Sequence, residues 1–342
     1  MTRQPRQVRV VVVEDSSVHR ARIVRALEAD DDIQVVGEVA DAGGVLAAVR
    51  EHRPDVVTMD LQIPGGGGLH AVEQIMGFAP TPILVVSASG DASQEALDAL
   101  VAGALEALPK PIRWTAVDED QLRRRVRALA GATVLRHPRA RRGGDRKAAD
   151  ERPSTAMPVV AVAASTGGPP AVADLLARLG GLQAAVLVVQ HLHADFIDGF
   201  VAWMARASAL PVQPAGQGTI VQRGGVYIAP AGSHLRLGRD CRLTLSAEPR
   251  SLHRPSADVL FESVAAQAGA RAIGVLLTGM GDDGARGLLA LRNAGALTIA
   301  QDEATSAVWG MPRAAVALDA ARRVLPLSDI PDALLRAVRR LG

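Results

Sequence analysis

Cysteine occurs once in the 342 residues, at Cys241, which leaves no internal disulfide and no cysteine-rich metal site. Aromatic residues are only 2% of the chain, four Phe, three Trp and one Tyr, so the cores are expected to consist of Ala, Val, Leu and Ile. No uninterrupted apolar run approaches the ~18 residues a membrane span needs. The opening Met-Thr-Arg-Gln-Pro-Arg-Gln leads straight into a strand, without the apolar core of a signal peptide. A cytoplasmic protein with no direct membrane insertion is expected. A one-sided charge is missing as well: 38 Lys and Arg against 36 Asp and Glu leave a net +2, which does not point to nucleic acid. What is there is 48% hydrophobic and 22% charged, a globular composition long enough for two domains.

The first half alternates short apolar runs with amphipathic segments. Val8 to Val13 ends in Glu14-Asp15, and Ser16-Ser17 offers an N-cap to a helix through Leu27. Ile33 to Val39 precedes a helix to His52, Val56 to Met59 a helix around Leu69 to Met76, and Ile83 to Val86 a helix from Ala92. A last strand near Leu105 to Leu108 precedes a helix over Glu119 to Ala130. Five such alternations predict a parallel doubly wound sheet, whose ligands bind at the carboxyl ends of the strands. Polar residues converge there: Glu14 and Asp15 after strand one, Asp60 after strand three, Ser87 after strand four and Lys110 after strand five. Three carboxylates at one rim suit Mg²⁺, while a lysine and a serine hydroxyl suit a phosphoryl group. These residues resemble those of a response-regulator receiver domain. The resemblance implies a flavodoxin-like (βα)5 fold over residues 1–130, and phosphorylation of Asp60 by a histidine kinase. Glu14, Asp15 and Asp60 would then bind Mg²⁺, and Ser87 and Lys110 would sense the phosphate. Ala107 stands where receivers usually carry an aromatic residue, and Leu61-Gln62-Ile63-Pro64 leads into four glycines that should make that loop mobile.

Residues 131–157 carry charge, Gly and Pro with no hydrophobic period and read as a flexible linker. The arginines within 136–142 could touch an acidic partner, although a solvated linker is the better reading.

The second half, 158–342, is organised around Val159 to Pro170. The run Val159 to Ala164 is short, β-branched and uncharged, as a strand buried on both faces should be. Pro169 and Pro170 suit a first helical turn. Ser165 therefore sits at a strand-to-helix turn, and Ala163, Gly167 and Gly168 strip bulk from around it. That is the logic of a nucleophile elbow; an anion-binding helix N-terminus is the plainer alternative. A dinucleotide fingerprint is ruled out by the lack of Gly-x-Gly-x-x-Gly. Ala185 to Gln190 is a second strand, followed directly by His191, and Ile273 to Thr278 is a third, leading into Gly279-Met280-Gly281-Asp282-Asp283-Gly284. Between them, Thr219 to Leu245 reads as an antiparallel excursion. A serine, a histidine and an aspartate thus share one sheet edge. Imidazole can activate the hydroxyl while a carboxylate holds the imidazole's tautomer. His253 competes with His191 for the base, and Asp282 with Asp283 for the acid. His191 and His193 lack the further ligands that zinc needs.

The second half carries Ala-Ser-Thr-Gly-Gly at 164–168, Val-Gln-His at 189–191, Tyr-Ile-Ala-Pro at 227–230, His-Arg-Pro-Ser at 253–256 with Asp258, Leu-Thr-Gly-Met-Gly at 277–281 with Asp283-Gly284, and Ala-Gln-Asp-Glu-Ala-Thr-Ser at 300–306. In that order they resemble the catalytic domain of the chemotaxis protein-glutamate methylesterases, the CheB family. The resemblance implies a doubly wound, α/β hydrolase-like domain with an antiparallel hairpin. It assigns Ser165 as nucleophile, His191 as general base and acid, and Asp283 as the orienting carboxylate, with Thr166 and Met280 positioning the site and supplying donors to the oxyanion. It further implies hydrolysis of glutamate methyl esters and deamidation of glutamines on methyl-accepting chemoreceptors, with no cofactor for the esterase step. A receiver would cover the site until phosphorylated, and the protein would act as a monomer. Trp203 replaces a usual arginine and Pro214 lies near a usual glutamate. The competing reading is a signalling adaptor without turnover.

Overall fold

The structure, a computed structural model, describes residues 7–87, 92–134 and 157–342. The chain divides into two compact units, Met1–Pro138 and Arg139–Gly342. Most of the expected linker, including the arginines of 136–142, lies outside the described residues.

The first unit runs β1 (Val8–Val13), α1 (Ser17–Leu27), β2 (Ile33–Val39), α2 (Ala42–His52), β3 (Val56–Met59), α3 (Gly67–Phe78), β4 (Ile83–Ser87), α4 (Ala92–Ala102), β5 (Glu106–Pro109) and α5 (Ala116–Leu129). The five strands pair in parallel in the order β2-β1-β3-β4-β5. The central strands are buried because helices cover both faces: Val10–Val13 of β1 and every position of β3 and β4. Caps set the helix starts: Ser16 Oγ accepts from His19 N, and Asp41 Oδ1 from Gly44 N at 3.1 Å. The expected helix at Glu119 begins three residues earlier. Thr115 and Asp118 form a reciprocal capping box, with Thr115 N donating to Asp118 Oδ2 at 2.8 Å. The glycine run after Asp60 has a use in this path: Gly65, Gly66 and Gly67 take φ of +82°, +113° and +82°, and a Cβ on Gly68 would lie 2.5 Å from Leu61 Cα.

The second unit runs β6 (Val159–Ala164), α6 (Gly168–Ala177), β7 (Ala185–Gln190), α7 (Ala194–Ala207), β8 (Val212–Pro214), β9 (Val226–Ile228), β10 (His234–Leu237), β11 (Leu243–Ser246), α8 (Ala257–Ala268), β12 (Ala272–Leu276), α9 (Ala285–Asn293), β13 (Leu297–Gln301), α10 (Met311–Ala317), β14 (Arg323–Leu325) and α11 (Ile330–Leu341). Seven strands form a parallel sheet ordered β14-β13-β12-β6-β7-β9-β8. The excursion expected over Thr219 to Leu245 is smaller than the sequence suggests. β10 and β11 pair antiparallel, and Ile220 adds an antiparallel bridge to Arg242, whereas Val226–Ile228, buried on both faces, joins the parallel sheet beside β7. The scarce aromatics also contribute more to the core than composition implies: Phe196, Phe200, Phe261 and Tyr227 are all fully buried in this unit. Chain order reverses at β6, with β7 on one side and β12 on the other, so the crevice for a ligand opens at its carboxyl end. No helix among the described residues is long and apolar enough to cross a membrane.

Candidate active site and receiver site

Ser165 is the first residue beyond β6 and His191 the first beyond β7. The last paired residues of these strands, Ala164 and Gln190, are register partners, so Ser165 and His191 occupy equivalent places on adjacent strands, about 5 Å apart in backbone. Their backbones are tied: His191 N donates to Ala164 O at 3.0 Å, and Ser165 N donates to Thr278 O at 3.0 Å. The turn after Ser165 closes through Gly168 N donating to Ser165 O at 2.8 Å. Glycine is required here. Gly167 has φ +71°, and a Cβ would lie 2.5 Å from Ala307 Cβ; on Gly168 it would lie 2.8 Å from Ala164 Cβ. Pro169 and Pro170 occupy the first turn of α6, as expected.

His191 Nε2 lies 2.9 Å from Asp283 Oδ2, and the imidazole is 7% exposed. Its other nitrogen, Nδ1, is buried and has no hydrogen-bond partner among the described residues. Of the two neighbouring carboxylates, Asp283 therefore meets the imidazole, while Asp282 is exposed. Asp283 also accepts from Ser256 Oγ at 2.8 Å, Ala257 N at 2.7 Å and Asp258 N at 3.1 Å. Burial pushes its pKa up, but the His191 bond and charge together with these N–H donors win, and the carboxyl is held well below its ordinary value. His253 stacks on His191, with ring centroids 4.2 Å apart and planes 11° from parallel. The histidine that competed for the base is thus a neighbour of the ring. His193 caps α7 through Nδ1, accepting from Asp195 N at 3.3 Å.

Thr166 is buried, and its carbonyl accepts from Thr278 Oγ1 at 3.0 Å. Met280 is half-buried and follows Gly279, which lies so close to the serine that a Cβ there would sit 2.7 Å from Ser165 Cβ. Gln190 was not marked as functional by its place in the sequence, and neither was Gln301. The buried Gln190 carboxamide donates to Ser165 O at 2.8 Å and His191 O at 3.0 Å, binding both turns. Gln301 Oε1 accepts from Thr278 N at 2.8 Å. An amide closing an apolar run was the available signal in both cases. Trp203 lies well along α7, edge-on to Phe200, and Pro214 is exposed at the end of β8.

In the first unit, Glu14, Asp15, Asp60, Ser87 and Lys110 gather at one sheet edge. Oxygens of Glu14, Asp15 and Asp60 lie within 4.8 Å of one another. Lys110 Nζ is 2.6 Å from Asp60 Oδ2 and 2.7 Å from Glu14 Oε2. Burial raises the Glu14 pKa against the lowering pull of Lys110. Lys110 moves up because its bonds to Asp60 and Glu14 outweigh its own desolvation. Among the described residues Ser87 Oγ is buried with no hydrogen-bond partner, and Ala107 is buried in β5 opposite Val85.

Residues 160–334 match the family model described as CheB methylesterase, and residues 10–127 match the response regulator receiver domain. A protein-glutamate methylesterase/protein-glutamine glutaminase of Anaeromyxobacter dehalogenans is 43% identical over 98% of both chains. Another, from Caulobacter vibrioides, is 39% identical over 96% of this chain and 97% of its own. The crystal structure of the Thermotoga maritima CheB methylesterase catalytic domain covers 53% of this chain and 98% of that one, with TM-score 0.51 and 32% identity. With its second unit matched as the esterase and its first as the receiver, this chain belongs to the CheB methylesterase family.

Proposed function

We propose that this protein is a phosphorylation-controlled hydrolase that removes methyl esters from chemoreceptor glutamates and deamidates selected receptor glutamines. The observation that carries the reading is the His191–Asp283 bond, 2.9 Å at Nε2, which leaves Nδ1 buried and, among the described residues, unpartnered on a residue level in register with Ser165. In this reading Nδ1 takes the Ser165 proton as Oγ attacks the ester carbonyl carbon, and Asp283 stabilises the imidazolium that forms. N–H groups at Thr166 and Met280 receive the oxyanion. Collapse returns the proton to the leaving oxygen and releases methanol, leaving an acyl-serine. Water, deprotonated by the same nitrogen, attacks the acyl carbon, and as the acyl–Oγ bond breaks the imidazolium returns the proton to Ser165 Oγ, freeing glutamate and restoring both residues. With glutamine, ammonia leaves in place of methanol. The esterase step needs no cofactor.

The receiver reading assigns Asp60 as acceptor of a phosphoryl group from a histidine kinase. The clustered carboxylates of Glu14, Asp15 and Asp60 fit Mg²⁺, and the orphaned Ser87 hydroxyl fits a phosphoryl oxygen. Bound Mg²⁺ would neutralise charge on the transferring group. Lys110, now paired with Asp60, would hold a phosphoryl oxygen instead. The proposed organisation is receiver 1–130, linker 131–157 and esterase 158–342, in a cytoplasmic monomer. A test is methanol release from methylated receptor membranes with a small phosphodonor and Mg²⁺: the wild type should be stimulated and Asp60→Asn should not. An equal response of the two proteins would end the assignment of Asp60.

A further inference from the structure

Asp283 stands on a loop whose glycines Gly281 and Gly284 take φ of +87° and +91°, so the loop backbone is an adaptable mount for a residue that must hold one rotamer. What holds it comes from elsewhere. Both oxygens are occupied: Oδ2 by His191 and Ala257 N, Oδ1 by Ser256 Oγ and Asp258 N. Three of these four donors belong to the start of α8. Ser256 is the N-cap, its Oγ accepting from Val259 N at 3.4 Å, so the hydroxyl's single proton is committed to Asp283.

Ser256 is in turn fixed by a second imidazole. Ser256 N donates to His234 Nδ1 at 3.1 Å, and His234 Nε2 lies 2.9 Å from Pro249 O. An amide can only donate and a carbonyl can only accept, so the fully buried His234 ring is neutral, bare at Nδ1 and protonated at Nε2. One ring thereby ties both ends of the segment from Pro249 to Ser256, the segment that carries His253 onto the face of His191.

We propose that His234 and Ser256 are positioning residues for the hydrolysis: His234 places Ser256, Ser256 locks the Asp283 carboxylate, and that carboxylate orients His191. The inference rests on the Ser165–His191–Asp283 reading above and assigns the hairpin strand β10 a part in it. A misplaced carboxylate would weaken stabilisation of the imidazolium, which forms only along the reaction, so the loss falls on kcat and not on substrate binding.

The test is steady-state methanol release by the full chain, activated with phosphodonor and Mg²⁺, over a range of methylated receptor concentrations, with circular dichroism as the check on folding. Ser256→Ala should lower kcat at least ten-fold with KM changed less than about two-fold, and Ser256→Thr, which keeps the hydroxyl, should restore most of the loss. His234→Gln, able to accept at one amide atom and donate at the other, should retain more activity than His234→Phe. Unchanged kcat in Ser256→Ala, a loss confined to KM, or a folded Ser256→Thr as impaired as the alanine variant would overturn the proposal. If His234→Phe does not fold, the Ser256 pair and His234→Gln still decide. Ser165→Ala runs alongside: hydrolysis persisting there would overturn the triad itself, whereas its loss with an undiminished Ser256→Ala would overturn only the positioning role.

Discussion

Asp283→Asn is the most informative single change at the site, because its effect can be worked from the hydrogen bonds. The carboxylate receives donors on both oxygens, two on each. A carboxamide of the same shape must point its NH₂ at one pair. With NH₂ in the Oδ2 position it opposes Ala257 N–H and forces His191 to accept at Nε2, which places the ring proton on Nδ1 and removes the base. With NH₂ in the Oδ1 position it opposes Asp258 N–H, Ser256 can turn its hydroxyl to accept, and the tautomer survives without the negative charge. A unit charge about 4 Å from the imidazolium is worth about 4 kcal/mol at an effective dielectric of 20, or about 10³-fold in rate. Tautomer reversal in serine hydrolases costs about 10⁴-fold. Asp283→Asn should therefore lower kcat for methanol release by roughly 10³- to 10⁴-fold in a protein that stays folded. The same substitution has a pH signature. A carboxyl whose folded pKa lies below its ordinary value contributes stability above the unfolded pKa, lost as pH falls through the folded one. Asp283 is such a group. Wild type should lose stability on acidification below about pH 4, and the Asn variant should show a shallower loss in thermal unfolding from pH 6 downward. A kcat reduced by less than ten-fold would refute the reasoning.

Other consequences can be measured directly. Gly279→Ala would put a Cβ 2.7 Å from Ser165 Cβ; methanol release should fall at least ten-fold, and thermal unfolding should show a folded protein. Lys110→Met removes the cation shared by Glu14 and Asp60, so the already raised Glu14 pKa should climb further. An acid with a raised folded pKa binds more protons folded than unfolded, so stability falls as pH rises between the two values. This variant should lose more thermal stability than wild type as pH is raised from the ordinary glutamate value of about 4.5, and a smaller loss than wild type would contradict the assignment.

Much of the molecule was legible in the sequence because its strands are buried on both faces. Apolar, valine-rich runs such as Val10–Val13 and Val159–Ala164 carry their own bounds, and polar residues directly after them mark the rim where sites form. Hence Ser165, His191, Glu14, Asp60 and Lys110 could be singled out from strand ends alone. The choice between Asp282 and Asp283 could not be made that way, because adjacent loop residues differ only in which one meets α8. The start of α5 was missed because the Thr115–Asp118 box lies outside the apolar period. The role of β9 was missed because a three-residue strand is too short to show a period. Ser256 and His234 escaped for a different reason: they act across more than 20 residues of sequence, through bonds that appear only when β10, α8 and the Asp283 loop pack together. The bonded His191–Asp283 pair also weighs against an adaptor that has given up turnover.

Ser165 is proposed to carry ester hydrolysis on a receiver-controlled scaffold. The most direct measurement is methanol release from methylated receptor membranes by wild type and Ser165→Ala, both activated with phosphodonor and Mg²⁺ and both shown to be folded. The wild type should release methanol, and the variant none above the spontaneous rate. Release from Ser165→Ala at a rate comparable to wild type would contradict that role.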